Sequence, residues 1–496
     1  MSRCGHNKLR KILSLGSISV YQALLQICLL PFYLNLIGLD GYGIVGFFMA
    51  LQGMASVLDT AVSGAVCRQI AWLNARGVET FRIPPLVYST EILFWAVVSF
   101  LALLFFIFVF FFHEQWFQES DRFEYQIREI SWLAGGAFLT SFPSGFYAGI
   151  MNGYEKQVHS GLLGALAQSV RSFGGLAVLM LNAADLRMFF VWNMVIGALH
   201  TMLQRKAALK CLPAPAIKTR FSWPAVKSIQ NFAGGMFAIT ACSSLGVYAD
   251  RLILSKFVSL SDYGLYVFIA NLLGGMSRFV SPLIVYYNPK MAGFASTQNS
   301  KKLIESLQEF FSWICALLIP PLITFATFSN LWLFWWTGNS VFTSGTEAIS
   351  FLLGVVLLLN QACYPVTSML YANEKMKGVL KGTVCAAIFT PLALLAIIPE
   401  YGSIGAAATM ALIALAHFAY ILWIGSKALK KNLLRFAKTL VLCIGWTCLV
   451  TFSLKTFIKN DCLNPSTLIP LSLFIMIVNF LLIYFLKKEK FYDFKK

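Results

Sequence analysis

Apolar runs long enough to cross a bilayer recur along the whole of this sequence. A membrane helix needs about 20 apolar residues to traverse about 30 Å of hydrocarbon. Such runs predict helices at 12–37, 42–65, 84–112, 127–150, 160–182, 187–204, 227–255, 263–287, 308–329, 346–371, 380–398, 402–425, 437–457 and 466–486. Allowing about 35 residues for a span and its connection, 496 residues are filled by fourteen spans and hold no sizeable soluble domain. Composition agrees: 58% of residues are hydrophobic and 12% charged, about half the charge density of a soluble chain. The expected fold class is an all-α polytopic membrane protein.

Charge sets the topology, because Lys and Arg are retained on the cytoplasmic side. With the N-terminus inside, the cytoplasmic segments carry thirty Lys and Arg residues. The opposite segments carry six: Arg122, Arg128, Arg187, Lys256, Lys455 and Lys459. Arg171, Arg251 and Arg278 fall inside spans. Both termini are therefore expected in the cytoplasm. The net charge of +18 is parcelled into alternate loops instead of one basic domain, so nucleic-acid binding is not expected. The first apolar run is too long for a signal-peptide core and is expected to be retained. Eleven cysteines show no CxxC pair or zinc spacing, so neither a disulfide framework nor a metal site is predicted.

An internal repeat organises the chain. Tyr42-Gly43-Ile44, preceded by Asp40, recurs as Tyr263-Gly264-Leu265, preceded by Asp262, at an offset of 221. Asn152-Gly153-Tyr154-Glu155-Lys156 is echoed by Tyr371-Ala372-Asn373-Glu374-Lys375 at an offset of 219. The expected division is an N-lobe at 1–204 (helices 1–6), a Pro-bearing cytoplasmic linker at 205–227, a C-lobe at 228–425 (helices 7–12), and helices 13–14 with a basic tail at 426–496. A parallel repeat of this kind is a transporter arrangement with the substrate path between the lobes.

Polar residues within spans are the candidate functional groups, since a charge in hydrocarbon is costly unless it faces protein or water. Four stripes at i, i+4, i+7 and i+11 stand out. They are Gln52, Ser56, Asp59 and Ser63; Gly164, Gln168, Arg171 and Gly175; Asn271, Gly275, Arg278 and Pro282; and Asn360, Tyr364, Thr367 and Tyr371. Gly and amide residues at this spacing also serve helix packing. A mid-span guanidinium needs an anion, either Asp59 in a structural ion pair or a ligand phosphate held bidentately. Arg251 sits near the outer end of its span beside Asp250, where its head can snorkel. Asp59, Asp250 and Glu91 are candidates for ion pairing or coupling.

These residues resemble a known family. Gly38-Leu39-Asp40-Gly41-Tyr42-Gly43, Leu58-Asp59 and Arg68-Gln69-Ile70-Ala71 look like the opening of bacterial polysaccharide flippases of the O-antigen (Wzx) type. So does Tyr248-Ala249-Asp250-Arg251-Leu252-Ile253-Leu254-Ser255-Lys256 followed by Tyr263-Gly264-Leu265-Tyr266, and Tyr401-Gly402-Ser403-Ile404-Gly405-Ala406-Ala407 matches the family's twelfth-helix entry. The resemblance implies membership of the MOP (multidrug/oligosaccharidyl-lipid/polysaccharide) exporter superfamily and two six-helix lobes in a V that alternate between inward and outward openings. It also implies movement of undecaprenyl-pyrophosphate-linked oligosaccharide repeat units across the inner membrane, with a polysaccharide polymerase and chain-length regulator as partners. The expected cationic lumen is Arg171, Arg278 and Arg251, lined by Gln52, Ser56, Gln168, Asn271, Asn360, Tyr364 and Thr367.

Two other classes compete with this reading. A MATE-type antiporter of small cations calls for an acidic cavity, and the first span carries no charge. A polytopic polymerase or glycosyltransferase calls for a sizeable outer loop, and the longest here are about 15 residues. An ATP-driven pump is excluded because no GxxxxGK[ST] phosphate loop occurs. No catalytic constellation and no cofactor are expected. The topology is testable with reporter fusions: a fluorescent protein joined after Lys496 or Lys210 should fluoresce, and alkaline phosphatase inserted at 339–345 should be active. The reverse pattern at Lys210 would remove the assigned orientation.

Overall fold

The computed structural model describes residues 2–76, 80–116, 124–212, 220–338, 346–373 and 375–429. Predicted spans thirteen and fourteen, with the basic tail, lie outside the described residues. Among the described residues the chain forms twelve α-helices, two 3₁₀ turns and no strand. The helices are α1 (Ser2–Arg76), α2 (Ile83–Trp116), α3 (Glu124–Ser141), α4 (Ser144–Gly153), α5 (Gln157–Leu181) and α6 (Leu186–Leu209). They continue with α7 (Trp223–Phe257), α8 (Leu260–Ser277), α9 (Ser281–Ser296), α10 (Ser300–Thr337), α11 (Thr346–Ala372) and α12 (Met376–Leu429). Ten of the first twelve predicted spans each fall on one of them, and the fourth and eighth are each divided between two.

Two of these helices each hold a pair of spans. Nine segments among the described residues are long and apolar enough to cross a membrane, and one of them, Ser14–Asn74, has 61 residues. At about 1.5 Å per residue, that is three times the thickness of the hydrocarbon core. The chain turns within it at Gly38 (φ 71°, ψ 178°). Within α12 it turns at Gly402 (φ 54°, ψ −137°). Both lie in the left-handed half of backbone space, where a Cβ is disfavoured and glycine is not. These turns fall where the sequence placed the ends of the first and eleventh spans.

Two predicted spans are interrupted. The fourth (127–150) breaks at Phe142-Pro143 into α3 and α4, because proline has no N–H to continue the ladder and its ring crowds the preceding turn. The eighth (263–287) is broken by a 3₁₀ turn, Arg278–Val280, between α8 and α9, with Pro282 in the first turn of α9. The stripe Asn271, Gly275, Arg278 and Pro282 therefore does not run along one straight helical face.

By packing, the chain divides into Met1–Val267 and Phe268–Lys496. The first unit continues past the linker at 205–227 because α7 lies against α1. Tyr248 seats its ring on Gly53, and the Arg68 guanidinium lies 4.4 Å from the Phe232 ring centroid. Lipid tails are as apolar as leucine, so helices here associate through close contact and not through hydrophobic burial. The glycines of α4 show how. A Cβ on Gly149 would lie 2.7 Å from the Ser63 Cβ, one on Gly153 would lie 2.9 Å from the Ile70 Cβ, and one on Gly145 would overlap the Asp59 carboxylate. This Gly-xxx-Gly-xxx-Gly ridge lets α4 meet the second limb of α1 nearly backbone to backbone. Phe94 of α2 stacks on Phe142 (centroids 5.7 Å) and Phe146 (5.1 Å) beside it.

The two copies of the Tyr-Gly motif meet inside this unit. A Cβ on Gly43 would lie 2.8 Å from the Leu260 carbonyl oxygen, and one on Gly264 would overlap the Leu39 carbonyl. Leu39 and Leu260, like Gly43 and Gly264, stand 221 residues apart, so the contact is reciprocal.

In the second unit, Tyr287 of α9 stacks on Phe310 of α10 with centroids 4.8 Å apart and planes at 9°. Ser368 of α11 donates to Asn288 Oδ1 at 2.6 Å, fixing α11 on α9.

The loop between α5 and α6 lies outside the spans and is held by charge. Asp185, the N-cap of α6, accepts from the Arg187 N–H at 2.8 Å. The Arg187 side chain pairs with Asp185 at 3.0 Å and with Glu129 of α3 at 3.1 Å. The guanidinium's hydrogen bonds hold the Asp185 carboxyl below the usual aspartate range.

Two predictions follow from this packing. Gly149→Ala should cost about 1–3 kcal/mol by overpacking and lower both the thermal midpoint in detergent and the amount of protein in membranes. Gly164→Ala, where a Cβ meets nothing within 4 Å, should change neither; equal behaviour of the two variants would remove the ridge as a packing determinant. Asp185→Ala should lose about 1 kcal/mol of helix capping. Because the folded-state pKa is depressed, that difference should be full above the ordinary aspartate pKa of about 4 and should close below it as the carboxyl protonates. A gap unchanged to pH 3 would show that the carboxylate charge is not what stabilises the turn.

Candidate functional site

The break between α3 and α4 gathers polar groups. Pro143 and the bend free carbonyls that a continuous helix would have used. The Ser144 hydroxyl donates to the Ser141 carbonyl at 2.8 Å, and the Thr201 hydroxyl of α6 donates to the Thr140 carbonyl at 2.7 Å. The Ser141 side chain faces outward from this repaired bend and accepts Arg171 Nη2 of α5 at 3.2 Å. Gly197 of α6 leaves the space: a Cβ there would overlap the Ser141 Oγ.

Arg171 is partly buried, and its Nε is wholly buried with no hydrogen-bond partner. The Asp59 carboxylate of α1 lies against Gly145, four residues after Ser141. Its Oδ1 is buried and accepts no hydrogen bond. The two groups thus share one segment without pairing, and Arg171 makes no ion pair among the described residues. Of the two anions the sequence allowed for Arg171, the Asp59 carboxylate is not in place.

Two further polar residues join this cluster from α6. His200 stands three residues along α6 from Gly197, and Gln204 Nε2 lies 3.4 Å from the His200 Nε2 and 3.3 Å from the Ser160 carbonyl. Neither His200, Gln204 nor Ser141 was singled out by the sequence. The spacing Gly197, His200, Thr201 and Gln204 along one face of α6 was the signal that would have found them.

The remaining candidates have identifiable surroundings. Glu91 of α2 is an ion pair. It accepts Arg205 Nε at 2.7 Å and the Tyr147 hydroxyl at 2.6 Å, and Trp95 Nε1 donates to that hydroxyl at 3.1 Å. Asp250 of α7 is 4% exposed and accepts the Tyr266 hydroxyl at 2.6 Å. Arg251 lies beside it with its guanidinium 5.8 Å from the Tyr248 ring centroid, so the Asp250–Arg251 pair has a set of partners separate from that of Arg171. Ser56 donates to the Gly53 carbonyl of its own helix at 2.6 Å, and Gln168 donates to Ser172 at 3.3 Å. Gln52 is partly buried on α1.

In the second unit Arg278 occupies the 3₁₀ turn, and Arg278 and Asn271 are both partly buried. A short 3₁₀ stretch between helices is a common site of local adjustment. On α11, Asn360 and Tyr364 are exposed, while Thr367 is partly buried and donates to the Tyr364 carbonyl at 3.0 Å. Among the described residues no group of three His, Cys, Asp or Glu side chains is placed to hold a metal ion.

The family described as "Polysaccharide biosynthesis protein" matches residues 8–291. The sequence matches no curated protein. Among solved structures, the fold is similar to the lipid II flippase MurJ in an inward closed conformation, with a TM-score of 0.70, 12% identity, and 96% of this chain and 99% of that one covered. It is also similar to an inward-facing multidrug resistance MATE family transporter of the MOP superfamily (TM-score 0.63, 12% identity, 83% and 96% covered). A MOP superfamily transporter from Pyrococcus furiosus, described as having a binding pocket of reversed polarity, has a TM-score of 0.55 at 12% identity, with 85% and 96% covered. The family match spans more than half of the sequence, and the fold is similar to those of these transporters and flippase: this chain is a multi-pass membrane protein that belongs to the polysaccharide biosynthesis protein family.

Proposed function

We propose that this protein is a flippase, not an enzyme, that moves undecaprenyl-pyrophosphate-linked oligosaccharide repeat units of an O-antigen or capsule. Translocation runs from the cytoplasmic to the periplasmic leaflet of the inner membrane by alternating access. The observation that carries this reading is Arg171: a guanidinium within a span, with a buried Nε left without a partner while the nearby Asp59 carboxylate does not neutralise it. A bare cation in a low-dielectric interior is costly, and an incoming phosphate that accepts from it removes that cost. Arginine suits the task because its planar fork meets two phosphate oxygens at once and stays charged. The 3₁₀ turn at Arg278 supplies the second proposed cation, and Arg251 the third. The polysaccharide family match and the lipid II flippase fold support this substrate class.

In this proposal the duplicated segments 1–204 and 228–425 act as the two lobes, both termini are cytoplasmic, and a polysaccharide polymerase and chain-length regulator work beside it. The MATE-like fold neighbours favour one second reading, an antiporter of small molecules, in which Asp59 with its unpartnered Oδ1 would be the coupling group.

Arg171→Ala and Arg278→Ala should each reduce surface polysaccharide at least tenfold, the loss expected for a hydrogen bond to a charged group. Membrane abundance and thermal midpoint should stay at the wild-type level, and the Lys variants should recover only part of the output. Normal polysaccharide in both Ala variants would remove the cationic path. Loss of drug tolerance with polysaccharide intact would favour the antiporter.

A further inference from the structure

Gln204 fixes the proton on His200. Gln204 is 2% exposed, and its amide nitrogen lies 3.3 Å from the Ser160 carbonyl oxygen. A carbonyl only accepts, so the group facing it is the NH₂ and not the amide oxygen. The same nitrogen lies 3.4 Å from His200 Nε2. An amide nitrogen only donates, so Nε2 must be the acceptor and the ring hydrogen is on Nδ1. A protonated ring would set N–H against N–H at this contact. His200 is therefore neutral, with a defined donor, and it stands three residues along α6 from Gly197, which lies against the Ser141 hydroxyl that accepts Arg171 Nη2.

A neutral imidazole with a fixed N–H adds a second kind of donor to the first unit's site without adding to its uncompensated charge. Buried Nε–H on Arg171 and Nδ1–H on His200 are both donors, and an anion is the ligand that takes hydrogen bonds from both. Resting on the flippase reading above, we propose that His200 is a ligand-contacting residue that donates its Nδ1–H to the substrate's pyrophosphate. Gln204 is then a positioning residue that holds the tautomer and ring orientation from behind. Ser141 does the same for the guanidinium by taking Nη2, leaving Nε for the ligand.

The two ring nitrogens can be replaced separately. Asparagine places its amide near the position of Nδ1, and glutamine places its amide near that of Nε2. The probe is inorganic pyrophosphate, titrated against the full chain in lipid nanodiscs by calorimetry, with the thermal midpoint of each variant measured alongside. His200→Ala should weaken pyrophosphate about tenfold, the value of a hydrogen bond to a charged group. His200→Asn should restore most of that loss and His200→Gln should not. Rescue by Gln and not by Asn would overturn the assignment, because it would place the requirement at the Gln204 contact. So would unchanged binding in His200→Ala. Failure of the wild-type protein to bind pyrophosphate would instead sink the flippase reading on which this inference rests.

Discussion

The first unit is organised by a missing hydrogen bond. Pro143 cannot donate to the preceding turn, and in an apolar surrounding no water takes up the slack. Beside that break, the Thr140 and Ser141 carbonyls accept the hydroxyls of Thr201 and Ser144. That repair brings α6 onto the bend and turns the Ser141 side chain toward Arg171. Four residues later Gly145 admits the Asp59 carboxylate. An arginine and an aspartate thus reach the segment in which one imino acid interrupts the helix.

Close approach and polar satisfaction take over the work that hydrophobic burial does in a soluble core. Where the fold needs rigidity, it uses glycine contacts and fully met polar groups. The α4 ridge on α1 is one example, and the Glu91–Arg205–Tyr147–Trp95 set is another. Asp250 takes the Tyr266 hydroxyl on one carboxylate oxygen and keeps the other buried without a partner. Arg171 and Asp59 likewise each keep a buried atom without a partner. The contrast with the Glu91 set separates a charge that ties helices together from charges that retain an unused hydrogen-bonding position.

Much of the fold was legible in the sequence because its signals are local. Apolar run length located the first twelve spans, and the turns between spans one and two and between eleven and twelve fell at glycines that take left-handed backbone angles. The site was less legible. Glu91 was visible as an acid within a span, but its role depended on Arg205, 114 residues away. Pro143 was visible too, yet an apolar run continues across it and the fourth span was read as unbroken. The straight stripe through Arg278 failed for a related reason: periodicity assumes 3.6 residues per turn, and the 3₁₀ turn changes the count. His200 and Gln204 stayed hidden because a histidine and an amide on a helix face acquire meaning only from each other and from the Ser160 carbonyl, 44 residues away.

The reciprocal crossing at Gly43 and Gly264 bears on which substitutions the two Tyr-Gly motifs can accept. Each glycine is the space into which the other copy's main chain fits. Enlarging either residue therefore injures a crossing that belongs to both motifs. Neither position can gain a side chain without displacing main chain that the other motif supplies.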